Sequence, residues 1–163
     1  MKASRIPAVI LAVIALSHGI GQQPLVPKTP VGISPGAQKF NGKWYRVFLE
    51  KVPWNSAKEK CTTLGGQLAI IPDQQTWDFI RQLGKGADLW ISGSDEETPG
   101  VWKWVDGTPF TFTAWLGGQP DRAYGGQEHY AHITRDGWND CRKSGVINDK
   151  GRVVGYICEW KDR

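Results

Sequence analysis

Residues 54–84, WNSAKEKCTTLGGQLAIIPDQQTWDFIRQLG, decide the fold class, because they contain two helical patterns and no helical period follows them. The first pattern places four apolar residues on one helical face, namely Trp54, Ala57, Cys61 and Leu64. Gly65-Gly66 supplies the stop for this helix. Asp73 is predicted to begin the second helix, since its carboxylate can accept hydrogen bonds from the free amides of the first turn. This helix is expected to end near Gly84.

On both sides of the helices the sequence predicts strands. Before them, Asn41-Gly42 favours a two-residue hairpin turn, because both residues tolerate positive φ, and a strand at 44–49 follows. After them, short apolar pieces are separated by Gly, Pro, Asp and Asn. The strands predicted there are 89–92, 101–105, 130–134 and 153–160. The fold class is therefore predicted to be α+β.

The stretch 108–126 has almost no regular pattern. Loops of this length are usually either functional or disordered. Four large aromatic residues argue against disorder, namely Phe110, Phe112, Trp115 and Tyr124. We therefore expect a large structured loop.

Residues 1–21 are predicted to be a secretory signal peptide, because two basic residues precede the apolar run 6–16 and small residues follow it. The alternative is an N-terminal membrane anchor, but the run is about half of the ~20 apolar residues that a span requires. Residues 22–36 contain four prolines and are predicted to form an extended linker. The domain is then expected to occupy 37–163, in a secreted or extracytoplasmic protein without a further membrane span.

The charge of the chain excludes one class of partner. The formal net charge of +4 falls to +2 once Lys2 and Arg5 are removed with the signal peptide, and no run of Lys and Arg stands out. A nucleic-acid-binding surface requires a basic stripe. We therefore expect no nucleic-acid partner.

Three cysteines remain in the exported chain, namely Cys61, Cys141 and Cys158. In an oxidising compartment they can form one disulfide and leave one thiol. Their spacing alone does not determine which two are paired.

Oxygen-bearing side chains collect in two clusters, Gln119-Pro120-Asp121 and Glu128 with Asn139-Asp140. Carboxylates mixed with amide oxygens, without a thiolate pair, suit a hard cation such as Ca²⁺. A cis bond before Pro120 would turn the flanking side chains toward one point, and X-Pro bonds adopt cis at low cost. The competing interpretation is that these are solvated loop residues.

A hydrolytic or zinc site could also be assembled from His129, His132, Glu128 and Asp136. However, His129 and His132 are three residues apart on a predicted strand, so their side chains point to opposite faces. We therefore expect a protein that is not an enzyme.

Several segments resemble the C-type lectin domain family, in order and at familiar spacing, from about Ala37 to Trp160. They are Trp54-Asn55-Ser56-Ala57 with Cys61, Gly66-Gln67-Leu68-Ala69, Trp90-Ile91-Ser92-Gly93, residues 95–104 (DEETPGVWKW), Gly107-Thr108-Pro109, Gly118-Gln119-Pro120-Asp121, Trp138-Asn139-Asp140 and Tyr156-Ile157-Cys158-Glu159. The resemblance implies the C-type lectin fold, with two helices, small antiparallel sheets and a long calcium-binding loop. It also implies a disulfide between Cys61 and Cys158.

The resemblance further implies a calcium-dependent carbohydrate-binding site. One Ca²⁺ would be held by Gln119, Asp121, Glu128, Asn139 and Asp140, and two vicinal hydroxyls of a glycan sugar would coordinate the same ion. Family members with Gln-Pro-Asp usually favour galactose and N-acetylgalactosamine. Tyr124 is the candidate aromatic for the apolar face of galactose; the alternative is an aromatic side chain that packs inward.

Two departures from the family pattern matter. Tyr130 occupies the position of an inner cysteine, which leaves Cys141 without a partner. We expect a half-buried free thiol there, and the alternatives are an intermolecular disulfide that makes a dimer and, least favoured, a catalytic thiol. Pro99, Arg122 and His129 stand where a second calcium site would need acids, so one ion is expected.

A second function remains open within the same fold. Many C-type lectin-like domains bind proteins or other surfaces without calcium, and a fold does not fix a function. Retention of all five oxygen-bearing residues favours the calcium-dependent interpretation.

Overall fold

The computed structural model describes residues 32–148 and 151–162. The signal peptide predicted for 1–21, and the predicted linker up to residue 31, lie outside the described residues. Within the described residues no helix has the length and apolar content to cross a membrane.

The elements follow one another as an early hairpin, two helices and a strand-rich second half. They are β1 (Gln38–Phe40), β2 (Lys43–Phe48), α1 (Trp54–Thr63), β3 (Gln67–Leu68), α2 (Gln74–Gly84), β4 (Leu89–Ser94), α3 (Ala123–Gly126), β5 (Tyr130–Ile133), β6 (Trp138–Cys141), β7 (Val146–Asn148), β8 (Gly151–Arg152) and β9 (Gly155–Lys161). The main sheet has the order β1-β2-β9-β4-β5-β6, with β3 paired to β9. The α+β class is thereby confirmed.

Both predicted helices form at the predicted positions. The Asp73 side chain accepts a hydrogen bond from the Thr76 amide at 2.7 Å and caps α2. Asn41 and Gly42 both have positive φ in the β1–β2 turn, as the hairpin pattern predicts. Cys61 in α1 is bonded to Cys158 in β9, with 5.5 Å between the Cα atoms.

The strand predicted at 101–105 is wrong. Only Lys103 forms bridges there, one to Ser94 and one to Pro109. Trp102 and Trp104 are buried, which produces the alternating pattern of a strand. Glycines with positive φ at 100 and 107 turn the backbone on both sides and leave one position for pairing.

The structure also contains elements that the sequence did not reveal. Strand β6 pairs antiparallel with β5, and its register places Cys141 opposite Tyr130. Strands β3, β7 and β8 were likewise not predicted. Ile33, inside the predicted linker, is buried in the core, so packing begins before the boundary predicted at 37.

The long loop between β4 and β5 is ordered, as its aromatic residues predict. Trp138 of β6 is fully buried, and aromatic rings surround it within about 6 Å between centroids, namely those of Trp77, Trp104, Phe110, Phe112 and Trp115. We call residues 108–117 the aromatic half of the loop and residues 118–128 its polar half. Within the loop, the predicted ligands all lie in the polar half, and the remaining two, Asn139 and Asp140, lie on β6.

Candidate functional site

Near the start of the polar half, the peptide bond between Gln119 and Pro120 is cis. The Gln119 side chain turns back, and its Oε1 accepts from the Asp121 amide at 3.1 Å. The Asp121 carboxylate accepts in turn from the Ala123 amide at 3.0 Å. These local bonds fix the conformation of the loop around the two side chains next to the proline.

Asp140 of β6 binds the polar half to the sheet. Its Oδ1 accepts from the Asp121 amide at 3.2 Å, and its Oδ2 accepts from the Arg122 amide at 2.9 Å. Asp140 is fully buried. Because a buried carboxylate requires hydrogen-bond donors, these two amides both orient Asp140 and hold the loop in place.

Three carboxylates meet between the loop and the sheet. One ligand oxygen from each of Asp121, Glu128 and Asp140 lies within 4.8 Å of the others. Ca²⁺ binds oxygens at about 2.3–2.6 Å, so two ligands of the same ion are separated by at most about 5 Å. The cluster therefore has dimensions suited to one such ion, and it is the only His, Cys, Asp and Glu group of this kind in the described part of the chain.

Burial and mutual repulsion raise the pKa of acids in this cluster. Burial, and then the charges of Asp140 and Asp121, raise the pKa of Glu128 to about 7. Burial also raises the pKa of Asp140. A cation between the three carboxylates would offset this repulsion and favour their ionised forms.

Asn139 is oriented by its neighbours. Its Nδ2 donates to the Asp140 carbonyl at 2.7 Å and lies 3.1 Å from Nε2 of His132. Burial lowers the pKa of His132 to about 4, so the ring is neutral near pH 7. With Nδ1 donating to the Ile133 carbonyl, Nε2 can accept from Asn139. Both amide hydrogens are then in use, which leaves Oδ1 as the group available to a ligand.

Next to the three carboxylates, Asp95 contacts two basic side chains and one backbone amide. Its carboxylate is 3.1 Å from Arg122 Nη2 and 2.8 Å from His129 Nδ1, and it accepts from the Gly100 amide at 2.6 Å. A Cβ at Gly100 would come within 2.7 Å of Arg122 Nη2. Asp95 therefore contacts both Arg122 and His129, two of the residues that stand where a second calcium site would need acids. The sequence alone does not single out Asp95. That one ion binds remains a prediction.

Tyr124 has positive φ and is 49% exposed, so it is not packed inward. The guanidinium carbon of Arg142 lies 4.2 Å from the centre of its ring. The sequence alone does not single out Arg142. Arg142 lies just after β6 and contacts a residue 18 positions earlier in the sequence, so no local spacing marks the pair.

Cys141 is a fully buried free thiol, which corrects the half-buried position expected from the sequence. It lies on β6 opposite Tyr130, in the same core cluster as Cys61 and Cys158. Burial, and then the charge of Glu128, raise its pKa to about 12. The predicted alternative of a dimer through Cys141 is therefore wrong, because the sulfur is inaccessible to a second chain.

The residues considered for a hydrolytic site are not brought together. His132 is buried beneath Asn139, whereas Asp136 is exposed in the β5–β6 turn. His129 contacts Asp95. In the described residues no histidine belongs to a metal-ligand group.

The predicted C-type lectin fold is confirmed by comparison with known proteins. The family model described as "Lectin C-type domain" matches residues 50–159. The chain therefore belongs to the C-type lectin family. This family is a lectin family and not a family of enzymes.

Individual relatives support the assignment. The chain is 38% identical over 108 residues to mouse C-type lectin domain family 4 member F, covering 62% of this chain and 20% of that protein. It is 35% identical over 130 residues to rat asialoglycoprotein receptor 1, covering 74% of this chain and 42% of the receptor. The chain thus spans half or less of the length of these relatives.

Solved structures give the same fold. The mouse scavenger receptor C-type lectin carbohydrate-recognition domain superposes with a TM-score of 0.69 at 30% identity, covering 79% of this chain and 96% of that one. A calcium-independent type II antifreeze protein superposes with a TM-score of 0.68 at 22% identity, covering 80% and 95%. The fold is therefore compatible with more than one function.

Proposed function

We propose that this protein is a calcium-dependent carbohydrate-binding module for galactose-type glycans. Gln119, Asp121, Glu128, Asn139 and Asp140 are the proposed ligands of one Ca²⁺. When bound, the ion supplies open coordination positions that two vicinal hydroxyls of a sugar can fill. The observation that carries the proposal is the convergence of Asp121, Glu128 and Asp140 within 4.8 Å.

The donor set supports sugar binding as well as ion binding. Carboxylate oxygens accept hydrogen bonds from sugar hydroxyls, and the Gln119 amide nitrogen can donate to them. The names of two relatives, a carbohydrate-recognition domain and an asialoglycoprotein receptor, agree with a glycan ligand. The order Gln-Pro-Asp supports a preference for galactose, and exposed Tyr124 offers a face for the apolar side of that ring.

The test measures thermal unfolding and retention on galactose beads, each with Ca²⁺ and with EDTA. An ion that binds only the folded protein must stabilise it, so Ca²⁺ is expected to raise the Tm and EDTA to reverse the rise. Asp121→Ala and Asn139→Ala are expected to abolish both effects. Asp136→Ala removes an exposed acid outside the cluster and serves as the matched control.

A folded protein whose Tm ignores Ca²⁺ would overturn the proposal and favour the calcium-independent protein-interaction alternative. Specificity is tested separately by the double substitution Gln119→Glu with Asp121→Asn. Because it exchanges amide and acid across Pro120, it is expected to shift preference toward mannose. An unchanged preference would show that the residues flanking the proline do not select the sugar.

We also propose that residues 1–21 direct export and are removed, and that the residues between 22 and the buried Ile33 form an extended linker. The disulfide between Cys61 and Cys158 supports an oxidising compartment. N-terminal sequencing of the protein recovered from the medium of expressing cells is expected to begin between residues 17 and 22. A product that retains the apolar run 6–16 would contradict the cleavage.

A further inference from the structure

Two side chains outside the proposed ligand set form a wall beside it. Tyr124 lies in the polar half of the loop, three residues after Asp121. Arg142 lies two residues after Asp140 and directly follows β6. The Arg142 guanidinium stacks on the Tyr124 ring at 4.2 Å. A cation over an aromatic face is a favourable arrangement, so the contact fixes the two side chains relative to each other.

Arg142 is held but not neutralised by its other contacts. Its Nε and Nη2 both lie within hydrogen-bond distance of the Val146 carbonyl, at 3.4 and 3.2 Å. Within residues 32–148 and 151–162 no carboxylate forms an ion pair with it. A guanidinium carries five N–H donors in a planar fork. Three of them therefore remain for a ligand at a fixed position.

The charge near the site also matters for the choice of ligand. Asp121, Glu128 and Asp140 together carry three negative charges when ionised, and a divalent cation leaves one of them uncompensated. Arg142 stacks on Tyr124 of the polar half and lies two residues after Asp140, so its positive charge is beside the same cluster. With Arg142 the local charge is near zero, so an anionic group is not repelled by the carboxylates.

The shape of galactose could place an anionic substituent beside Arg142. The apolar patch of the sugar runs along its ring carbons to the exocyclic carbon C6. If this patch covers the exposed face of Tyr124, a substituent at C6 extends past the edge of the ring, toward the guanidinium that stacks on the opposite face. An oxyanion there could accept two N–H groups from the guanidinium, the geometry that arginine offers to carboxylate and related groups.

We propose that the preferred ligand is an acidic galactose-type sugar with an oxyanion, sulfate or carboxylate, at C6, recognised by Arg142. This inference rests on the proposed function, because it assigns a substituent to the sugar of the same site. Arg142 is then the residue that separates acidic from neutral galactosides.

The test is isothermal titration calorimetry of the full chain in saturating Ca²⁺ with three methyl galactosides. One is neutral, one carries a 6-sulfate and one is the galacturonide, and all three retain the ring hydroxyls. The wild type is expected to bind at least one acidic sugar about tenfold more tightly than the neutral one, a difference of about 1.4 kcal/mol. Comparison of the two acidic arms identifies the oxyanion.

In Arg142→Gln the ratio between acidic and neutral affinities is expected to fall to about one. Arg142→Lys keeps the charge but loses the fork and is expected to give an intermediate ratio. Lys143→Gln is the matched control, because it removes a neighbouring positive charge that is paired with Glu96 at 2.7 Å. It is expected to leave the ratio unchanged, and thermal unfolding verifies that each variant is folded.

Equal calcium-dependent affinity for all three sugars would overturn this inference and leave the proposed function intact. A ratio that survives in Arg142→Gln, or that falls as far in Lys143→Gln, would also overturn the role of Arg142. Failure of all three sugars to bind would overturn both proposals.

Discussion

The two halves of the long loop are held in place by different interactions. The aromatic half packs its rings around Trp138. Its backbone also bonds to the backbone of that residue, because the Trp138 amide donates to the Ala114 carbonyl at 2.7 Å and the Leu116 amide donates to the Trp138 carbonyl at 2.9 Å. The polar half is held by the Asp140 carboxylate and by Arg122 on Asp95. Apolar packing is non-directional and acts in any ionic condition, whereas the polar contacts depend on charge.

This difference separates folding from function within one loop. The aromatic half needs no ligand, since its half-buried rings pack against the hydrophobic core of the sheet. The polar half holds carboxylates close together at a cost that a cation would offset. We therefore expect changes in the aromatic half to affect stability with or without calcium, and changes in the polar half to affect the response to calcium.

The largest effect is expected for Trp138→Ala. This substitution removes the residue on which the aromatic half packs, and large-to-small changes of a buried aromatic cost about 3–5 kcal/mol. Chemical denaturation is expected to show this loss equally with Ca²⁺ and with EDTA. A loss seen only with EDTA would show that the aromatic half also depends on the ion.

Calcium itself is expected to act on the polar half alone. At a free concentration of about 100 times the Kd, binding adds about 2.7 kcal/mol to the free energy of unfolding. Hydrogen exchange under native conditions is expected to slow at amides of 118–128 and to change little at 110–116. Equal slowing in both halves would contradict the division of the loop.

A smaller loss is expected for Arg122→Gln. Asp95 keeps His129 and the Gly100 amide but loses a charged donor, and such a bond contributes about 2 kcal/mol. The variant is also expected to bind Ca²⁺ more weakly, because Arg122 connects the loop to Asp95. Arg81→Gln, which removes an exposed partner of Asp78, is the control and is expected to change stability by less than about 0.5 kcal/mol.

The smallest effect is expected for Cys141→Ala. The side chain is small and its sulfur has one weak contact, at 3.6 Å from the Val146 carbonyl, so we expect a loss of about 1 kcal/mol. The mass of the protein in solution is expected to be the same with and without this cysteine under non-reducing conditions. A dimer that disappears in the variant would contradict the burial of the thiol.

The sequence was sufficient where local physical rules decide the structure. Helical period and capping located α1 and α2, and two residues that tolerate positive φ located the first hairpin. The aromatic residues of 108–117 correctly indicated an ordered loop, although nothing local identified Trp138 as their common partner.

The sequence was insufficient where the outcome depends on distant residues. The alternation at Trp102 and Trp104 arises from burial against the aromatic half and not from strand pairing, so it misled the prediction of a strand. The stacking of Arg142 on Tyr124 and the hub at Asp95 join residues 18 to 34 positions apart. Their spacing has no period that a sequence pattern could reveal.

The buried thiol of Cys141 has a practical consequence. Thiolate, the form that reacts with alkylating reagents, is scarce at neutral pH when the pKa is about 12, and the sulfur is enclosed by the sheet. Labelling can proceed only as fast as this part of the molecule opens. Mass spectrometry of the protein in iodoacetamide would therefore measure the rate of this opening in native buffer. No cysteine has to be introduced, because Cys141 is part of the wild-type sequence.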